Sequence, residues 1–358
     1  MKAQKYIEVI QAIKNFNIQE LQEFLMEIIE TIDIKSKFNK PNTNIGELQV
    51  NIHYCKHCGS VNVVKNGHTK KGKQNFRCND CHKSFNSTSN TILDSTKKPL
   101  SIWNKYIECE IFHLSLRETA KILNISTNTV FTMRHKFLKA MSEYSKTVKL
   151  SGKIQIDPTY TKINLKGTKP NKMPRESKKR ASSNARGLSR EQVCIMSGTD
   201  EFDNTVFKIT GLGKEGIDDY VKLLPNIFKP TLIITDSAPG YNKFAIDNKL
   251  TIDQIPSMKH VSKHGNSLGS INQIHSGVKE FLRKYHGVSI RHLQGYLDLF
   301  SVLRMFGFKF EHKEKKDKIF NTSLITDSKI TAKKIFKKVI PVDLSKIYGN
   351  KGILLMTY

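Results

Sequence analysis

The sequence predicts a multidomain α+β protein: a small cysteine-built ribbon, a helix-turn-helix, then an α/β core with a mixed sheet. Three observations carry this. The chain has 358 residues, more than one hydrophobic core usually organises, so two or three domains are expected. Two matched C-x-x-C pairs lie close together near the N-terminus. After residue 152 the hydrophobic pattern changes from helical spacing to short β-branched runs alternating with helical stretches.

Taken in order, residues 1–50 carry Leu21, Phe24, Leu25, Ile28 and Ile29 as one apolar stripe among Gln and Glu, which predicts an N-terminal helical segment. The turn formers of Lys40–Asn44 end it. In the next block, 51–92, Cys55 and Cys58 form one pair and Cys78 and Cys81 another, with 19 residues between them. Two such knuckles can close a tetrahedron of thiolates around Zn²⁺, and four sulfurs leave no open position, so the ion is expected to be structural. Cys109 and Cys194 fall in apolar patterns and read as core residues.

Residues 98–148 read as a helix-turn-helix region. Ala120 permits a close crossing, Ile122, Leu123 and Ile125 precede a polar turn, and Val130 occupies the packing position of the second helix. Ser126 or Thr127 would cap that helix, and Thr127, Asn128, Thr129, Thr132 and Arg134 are the candidate groove-facing residues. An ordinary helical hairpin has the same spacing. The charge favours the reading of nucleic acid: 59 Lys and Arg against 32 Asp and Glu give +27, with a pI near 9.7. No apolar run is long enough to span a bilayer and the N-terminus lacks a signal-peptide core, so a cytoplasmic, nucleoid-associated chain is expected, with no membrane partner.

From 152 to 308 the expected strands are Lys153–Tyr160, Gln192–Gly198, Thr205–Thr210 and Thr231–Asp236. Between the first two lies a segment, 162–190, with ten Lys and Arg against Glu176 alone, which reads as a solvated basic loop or a phosphate-tracking arm. Asp157 interrupts the first strand and Asp236 ends the last, followed by Ser-Ala-Pro-Gly. Carboxylates so placed can project into a cleft and hold Mg²⁺, although a strand-end Asp can also simply cap the next helix. Residues 309–358 form a Lys-rich tail of unknown role.

The order of ribbon, helix-turn-helix, I-D-x-T-Y strand, I-I-T-D-x-A-x-x-Y strand end and the block INQIHSGVKEFLRKYHGVSIRHLQGYL is similar to the insertion-sequence transposases with a zinc-ribbon N-terminus and an RNase H-like, DDE-type catalytic core. The likeness covers roughly residues 53–306. It implies that Asp157 and Asp236 bind catalytic Mg²⁺ or Mn²⁺. The third position, Glu in many relatives, is His275 here, so His275 or Asn272 would complete the site and Lys279 would contact phosphate. Pro158 also stands where Glu is frequent. On a helix, Asn272, His275, Lys279 and Arg283 form a polar stripe beside an apolar face, and Glu280 points elsewhere. The implied activity is metal-dependent cleavage of double-stranded DNA at the element's terminal inverted repeats and strand transfer to target DNA, by a homodimer or higher oligomer. The rivals are a catalytically inactive, sequence-specific DNA-binding protein derived from a transposase, and a metal-dependent nuclease that cuts without joining.

Overall fold

The computed structural model describes residues 54–70, 72–168, 170–174, 191–309 and 312–356. The expected N-terminal helical segment, and most of the basic 162–190 loop, lie outside them. The chain divides into two units, one ending at Ser89 and one running from Asn90 to the end.

The first unit is an antiparallel sheet in the order β1 (Val63–His68), β2 (Gln74–Cys78), β3 (Ser84–Asn86). Among its described residues the buried hydrophobic ones are Cys55, Cys78 and Phe85, with Phe76 stacked on Phe85 at 5.9 Å. A cluster of that size gains stability from a cross-link.

The second unit opens with three helices, α1 (Leu100–Ile111), α2 (Leu116–Leu123) and α3 (Thr127–Thr147). Local signals set their ends. Ser115 and Glu118 form a reciprocal capping box on α2, Asn124 adopts a left-handed conformation (φ 51°) that stops it, and the Ser126 hydroxyl accepts the Thr129 N–H to start α3. A five-stranded sheet follows: β4 (Leu150–Lys162), β5 (Gln192–Asp200), β6 (Thr205–Leu212), β7 (Ile227–Asp236) and β8 (Thr251–Ile255). Its order is β6-β5-β4-β7-β8, with β4–β5 and β5–β6 antiparallel and β4–β7 and β7–β8 parallel. The sheet is therefore mixed and the protein α+β. Helix α4 (Ile217–Val221) and helix α5 (Gly240–Asn248) flank β7, and α6 (Gly269–Lys284) and α7 (Leu293–Lys309) follow β8.

Strand alternation distributes the sheet's side chains between two cores. Ile154, Ile156, Cys194, Met196, Val206 and Ile233 join Trp103, Val130, Phe137 and Met141 in one. Val193, Ile195 and Phe207 join Ile274, Val278 and Leu297 in the other. The helices of 98–148 thus share a core with the sheet. Helix α7 packs along α3, and at Gly295 a Cβ would meet Leu138 at 3.3 Å, so only glycine fits the approach without displacement.

The C-terminal segment is not a tail. It forms α8 (His312–Ile325), α9 (Ala332–Phe336) and α10 (Ser345–Met356), and Ile340, Val342, Leu344 and Leu355 complete the second core. Its buried residues come from several short pieces, which is why no single periodicity marks it in the sequence.

Two imidazoles, His135 buried and His292 half-buried, join α3 to the segment before α7, their rings 4.2 Å apart. Burial, then the neighbouring His292 and Lys338 charges, push His135 down to about 2; burial, then Lys338 and Arg291, push His292 down to about 4. Both rings are neutral in the fold, whereas in the unfolded chain they protonate near 6.5. Their contribution to stability is whole above pH 6.5 and is lost as pH falls through about 4. The thermal midpoint is expected to fall between pH 6.5 and 4, and His135→Phe to flatten that slope; an unchanged slope contradicts the account.

Candidate functional site

The first unit brings Cys55, Cys58, Cys78 and Cys81 together, with all four sulfurs within 4.8 Å of one another. The Cys55–Cys81 and Cys58–Cys78 sulfur separations are both 3.6 Å. A tetrahedral ion with ~2.3 Å bonds holds its sulfurs ~3.8 Å apart, so the four residues fit Zn²⁺. The Cys81 backbone N–H lies 3.5 Å from the Cys78 sulfur and helps lower that thiol to about 7, toward the thiolate a metal needs.

On the helical pair, Thr127 and Asn128 are exposed and Thr129 and Thr132 half-buried. The Thr132 hydroxyl donates to the Asn128 carbonyl. The turn opens a cleft of about 560 Å³ lined by Arg117, Lys121, Asn124, Ser126 and Thr127. Arg134 does not belong with them. Its side chain is 4% exposed, its Nε donates to Glu110 Oε1 at 2.5 Å, its Nη2 donates to the Leu114 carbonyl at 2.8 Å, and its guanidinium lies 5.3 Å from the Tyr285 ring centroid. The expectation of a groove-facing Arg134 is corrected: the side chain points into the core, where Glu110 balances its charge. Arg117 and Lys121 are the basic residues at the turn that the sequence reading missed.

The acidic centre lies on the sheet face opposite Ile154 and Ile156. Strands β4 and β7 run parallel with Ile154 beside Ile233 and Gln155 beside Ile234. Continuing that register sets Asp157 beside Asp236, on the same face. Helix α6 covers this face because Ile271, Ile274 and Val278 recur at helical spacing, and its first turn is tied to β4 by the Ile271 N–H donating to Gln155 Oε1 at 3.0 Å. His275 is carried inward with the apolar residues and is 7% exposed, while Asn272, Lys279 and Arg283 stay on the surface. The expected four-residue stripe is therefore divided: His275 faces the sheet, one helical turn from Ile271.

His275 Nδ1 lies 3.5 Å from Asp157 Oδ2, and His275 Nε2 lies 2.5 Å from the Ser197 hydroxyl. Burial, then the Asp236 and Glu215 charges, raise Asp157 to about 7, against the pull of Lys279. Burial, then Lys279, push His275 down to about 4, opposed by the Asp157 backbone carbonyl. Lys279 is thus close enough to act on both groups. Asp236 also serves its own turn, with Oδ1 accepting the Ala238 N–H at 3.1 Å. Among the described residues, the four cysteines alone form a group of three or more metal-capable atoms within 4.8 Å; Asp157, Asp236 and His275 do not draw that close. The Asp157–His275 separation still fits two adjacent ligands of one hard cation with ~2.1 Å bonds. Glu215, whose carboxylate accepts the Tyr160 hydroxyl, and Ser197 are the members of this centre that the sequence reading missed. The G-K-E-G turn after β6 is the one local signal for Glu215.

No family model matches the chain. It is 23% identical over 278 residues to an uncharacterised protein in the transposable element ISH50 of Halobacterium salinarum, covering 76% of this chain and 91% of that protein. It is 38% identical over 81 residues to the insertion element iso-IS1N protein InsA of Shigella dysenteriae, covering 23% of this chain and 84% of InsA. Among solved structures it aligns with a pre-cleavage Mos1 transpososome (TM-score 0.22, 11% identity, 64% of this chain and 79% of that one) and with a Mos1 mariner paired-end complex with Mn (TM-score 0.22, 10% identity, 62% and 79%). Overlaps that low carry no weight beside the sheet described above. By its match to InsA, the chain belongs to the family of insertion-element proteins.

Proposed function

We propose that this protein is the transposase of an insertion sequence, binding the terminal inverted repeats of its element and catalysing divalent-metal-dependent DNA cleavage and strand transfer. The observation that carries the reading is the parallel β4–β7 register, whose continuation past Gln155 and Ile234 sets Asp157 beside Asp236, together with the approach of His275 from α6 to Asp157. In this reading the five-stranded sheet and its helices are an RNase H-like core over about 152–308, the first unit is a zinc ribbon over 51–92, and α2 and α3 are a helix-turn-helix within 98–148. Residues 309–358 finish the catalytic core rather than forming an appendage.

Asp157 and Asp236 would hold Mg²⁺ or Mn²⁺, with His275 or the exposed Asn272 completing the set. Bound there, the ion neutralises charge developing on the phosphate and favours the attacking oxygen as its anion. Water adds at phosphorus and the P–O3′ bond breaks, leaving a 3′-OH and a 5′-phosphate. The freed 3′-OH then attacks a target phosphate, forming one P–O bond as another breaks. Lys279, at the rim, contacts a non-bridging phosphate oxygen. Thr127, Asn128, Arg117 and Lys121 present the groove-reading surface, and Thr129 and Thr132 serve the helix's first turns. Two copies on the paired ends are the expected assembly.

The test is to incubate purified protein with the flanking genomic termini and Mg²⁺ or Mn²⁺, and to resolve cut and joined strands. Cutting with joining is the expected result. Cutting alone identifies a nuclease, and specific binding without cutting a regulator derived from a transposase. Elemental analysis of protein purified without added metal is expected to give one zinc per chain, and Cys78→Ser to remove it. A stoichiometry near zero contradicts the ribbon.

A further inference from the structure

The Ser197 hydroxyl occupies a position that determines what His275 can do. Ser197 lies on β5, directly across the β4–β5 ladder from Asp157, and is fully buried. Its oxygen is 2.5 Å from the Asp157 backbone carbonyl and 2.5 Å from His275 Nε2. A serine hydroxyl has one proton to give, and a carbonyl can only accept. If the proton went to His275, the serine and carbonyl oxygens would face each other with lone pairs alone at 2.5 Å, inside a buried site where an unmade hydrogen bond is costly. The arrangement that satisfies all three atoms has Ser197 donating to the Asp157 carbonyl and accepting an N–H from His275 Nε2. The hydrogen count therefore assigns the Nε2–H tautomer. The other ring nitrogen, Nδ1, then carries a lone pair, and it faces Asp157 Oδ2 at 3.5 Å.

We infer that Ser197 is a positioning residue: it fixes His275 in the Nε2–H tautomer, so that the Nδ1 lone pair and the Asp157 carboxylate converge as two ligand atoms for one divalent cation. The inference rests on the metal-dependent reading of this site. It adds the outer partner that orients a ligating imidazole, a role usually filled by a carboxylate or a backbone carbonyl. It also gives a role to a serine buried on that face among three β-branched residues of the same strand, Val193 and Ile195 on one side of it and Thr199 on the other. Ser197 does not touch the reacting atoms; it acts through His275 and through the backbone of Asp157.

The full chain, labelled with ¹⁵N-histidine and freed of divalent ions other than tightly bound zinc, is read by long-range ¹H–¹⁵N correlation. The His275 signals are identified by their loss in His275→Gln. The expected result is a single Nε2–H tautomer in the wild type and a mixture of tautomers in Ser197→Ala. Mn²⁺ affinity, measured by electron paramagnetic resonance, is expected to fall about 10-fold or more in Ser197→Ala, the scale of effect typical of lost outer-shell partners. Unchanged zinc content and circular dichroism check that the variant is folded. A wild-type His275 in the Nδ1–H form overturns the inference, whether or not any variant folds. So does a Ser197→Ala protein with the wild-type tautomer and Mn²⁺ affinity. A locked Nε2–H tautomer in a protein that binds no Mn²⁺ supports the role of Ser197 and overturns the metal reading instead.

Discussion

Asp157→Ala and Asp236→Ala are each expected to lower strand cleavage at the element's ends by ~10³-fold or more, with binding of those ends nearly unchanged. A carboxylate that holds a catalytic cation supplies several kcal/mol of charge stabilisation, and ~4 kcal/mol is a factor of ~10³ in rate. The proposed groove-reading residues Thr127 and Asn128 and the acidic centre use different side chains, so the two effects separate. Stability provides an independent check. Asp157 is partly buried beside Asp236 and under the charge of Glu215, an arrangement that disfavours its ionised form and raises it to about 7. Removing it relieves like-charge repulsion, so Asp157→Ala is expected to melt no lower than the wild type above pH 7. This pattern, dead in cleavage and intact in fold and binding, is what distinguishes a functional carboxylate from a structural one. Full cleavage by either variant refutes the assignment. Loss of end binding by both points to a structural role.

Features that depend on neighbours in sequence were legible from the sequence. The two C-x-x-C turns, the Ser126 cap and the strands bearing Asp157 and Asp236 are all local patterns, and the structure has elements at each position. Features that depend on two distant segments sharing a face were not. Ser197 sits inside an apolar strand and has meaning only once β5 pairs with β4 and α6 crosses above them. His275 read as part of a polar stripe because a helical wheel gives angles but not which side meets the sheet. Arg134 followed the four polar candidates Thr127, Asn128, Thr129 and Thr132 and looked like their continuation, yet its partner Glu110 lies on another helix. The C-terminal segment buries Ile340, Val342 and Leu344 from the stretch between two short helices and Leu355 from the last helix, runs too brief to mark a core element among so many lysines.

The Arg134–Glu110 pair gives the second large effect. Glu110→Ala is expected to destabilise the second unit by ~3–5 kcal/mol, because it leaves a guanidinium inside the core without a counter-charge. Glu110 is 0% exposed; its Oε1 accepts from Arg134 Nε at 2.5 Å and from the Tyr106 hydroxyl at 2.8 Å. Burial pulls the Arg134 pKa down, but the Glu110 carboxylate beside it outweighs that pull, so the guanidinium stays charged throughout the working pH range. Arg134→Ala strands the carboxylate instead and is expected to cost a similar amount. Replacing both at once, as Glu110→Leu with Arg134→Met, removes both charges and keeps volume; such exchanges are often neutral or stabilising, so most of the loss should return. Urea midpoints of the two single variants and the double variant measure this directly. End binding measured well below the unfolding transition then decides the role of Arg134. A side chain that joins α3 to α1 and packs on Tyr285 leaves the affinity of the folded fraction unchanged when removed. A stable Arg134→Ala protein that has lost specific binding would return Arg134 to the DNA-reading surface and show that α3 turns its face outward on the element's ends.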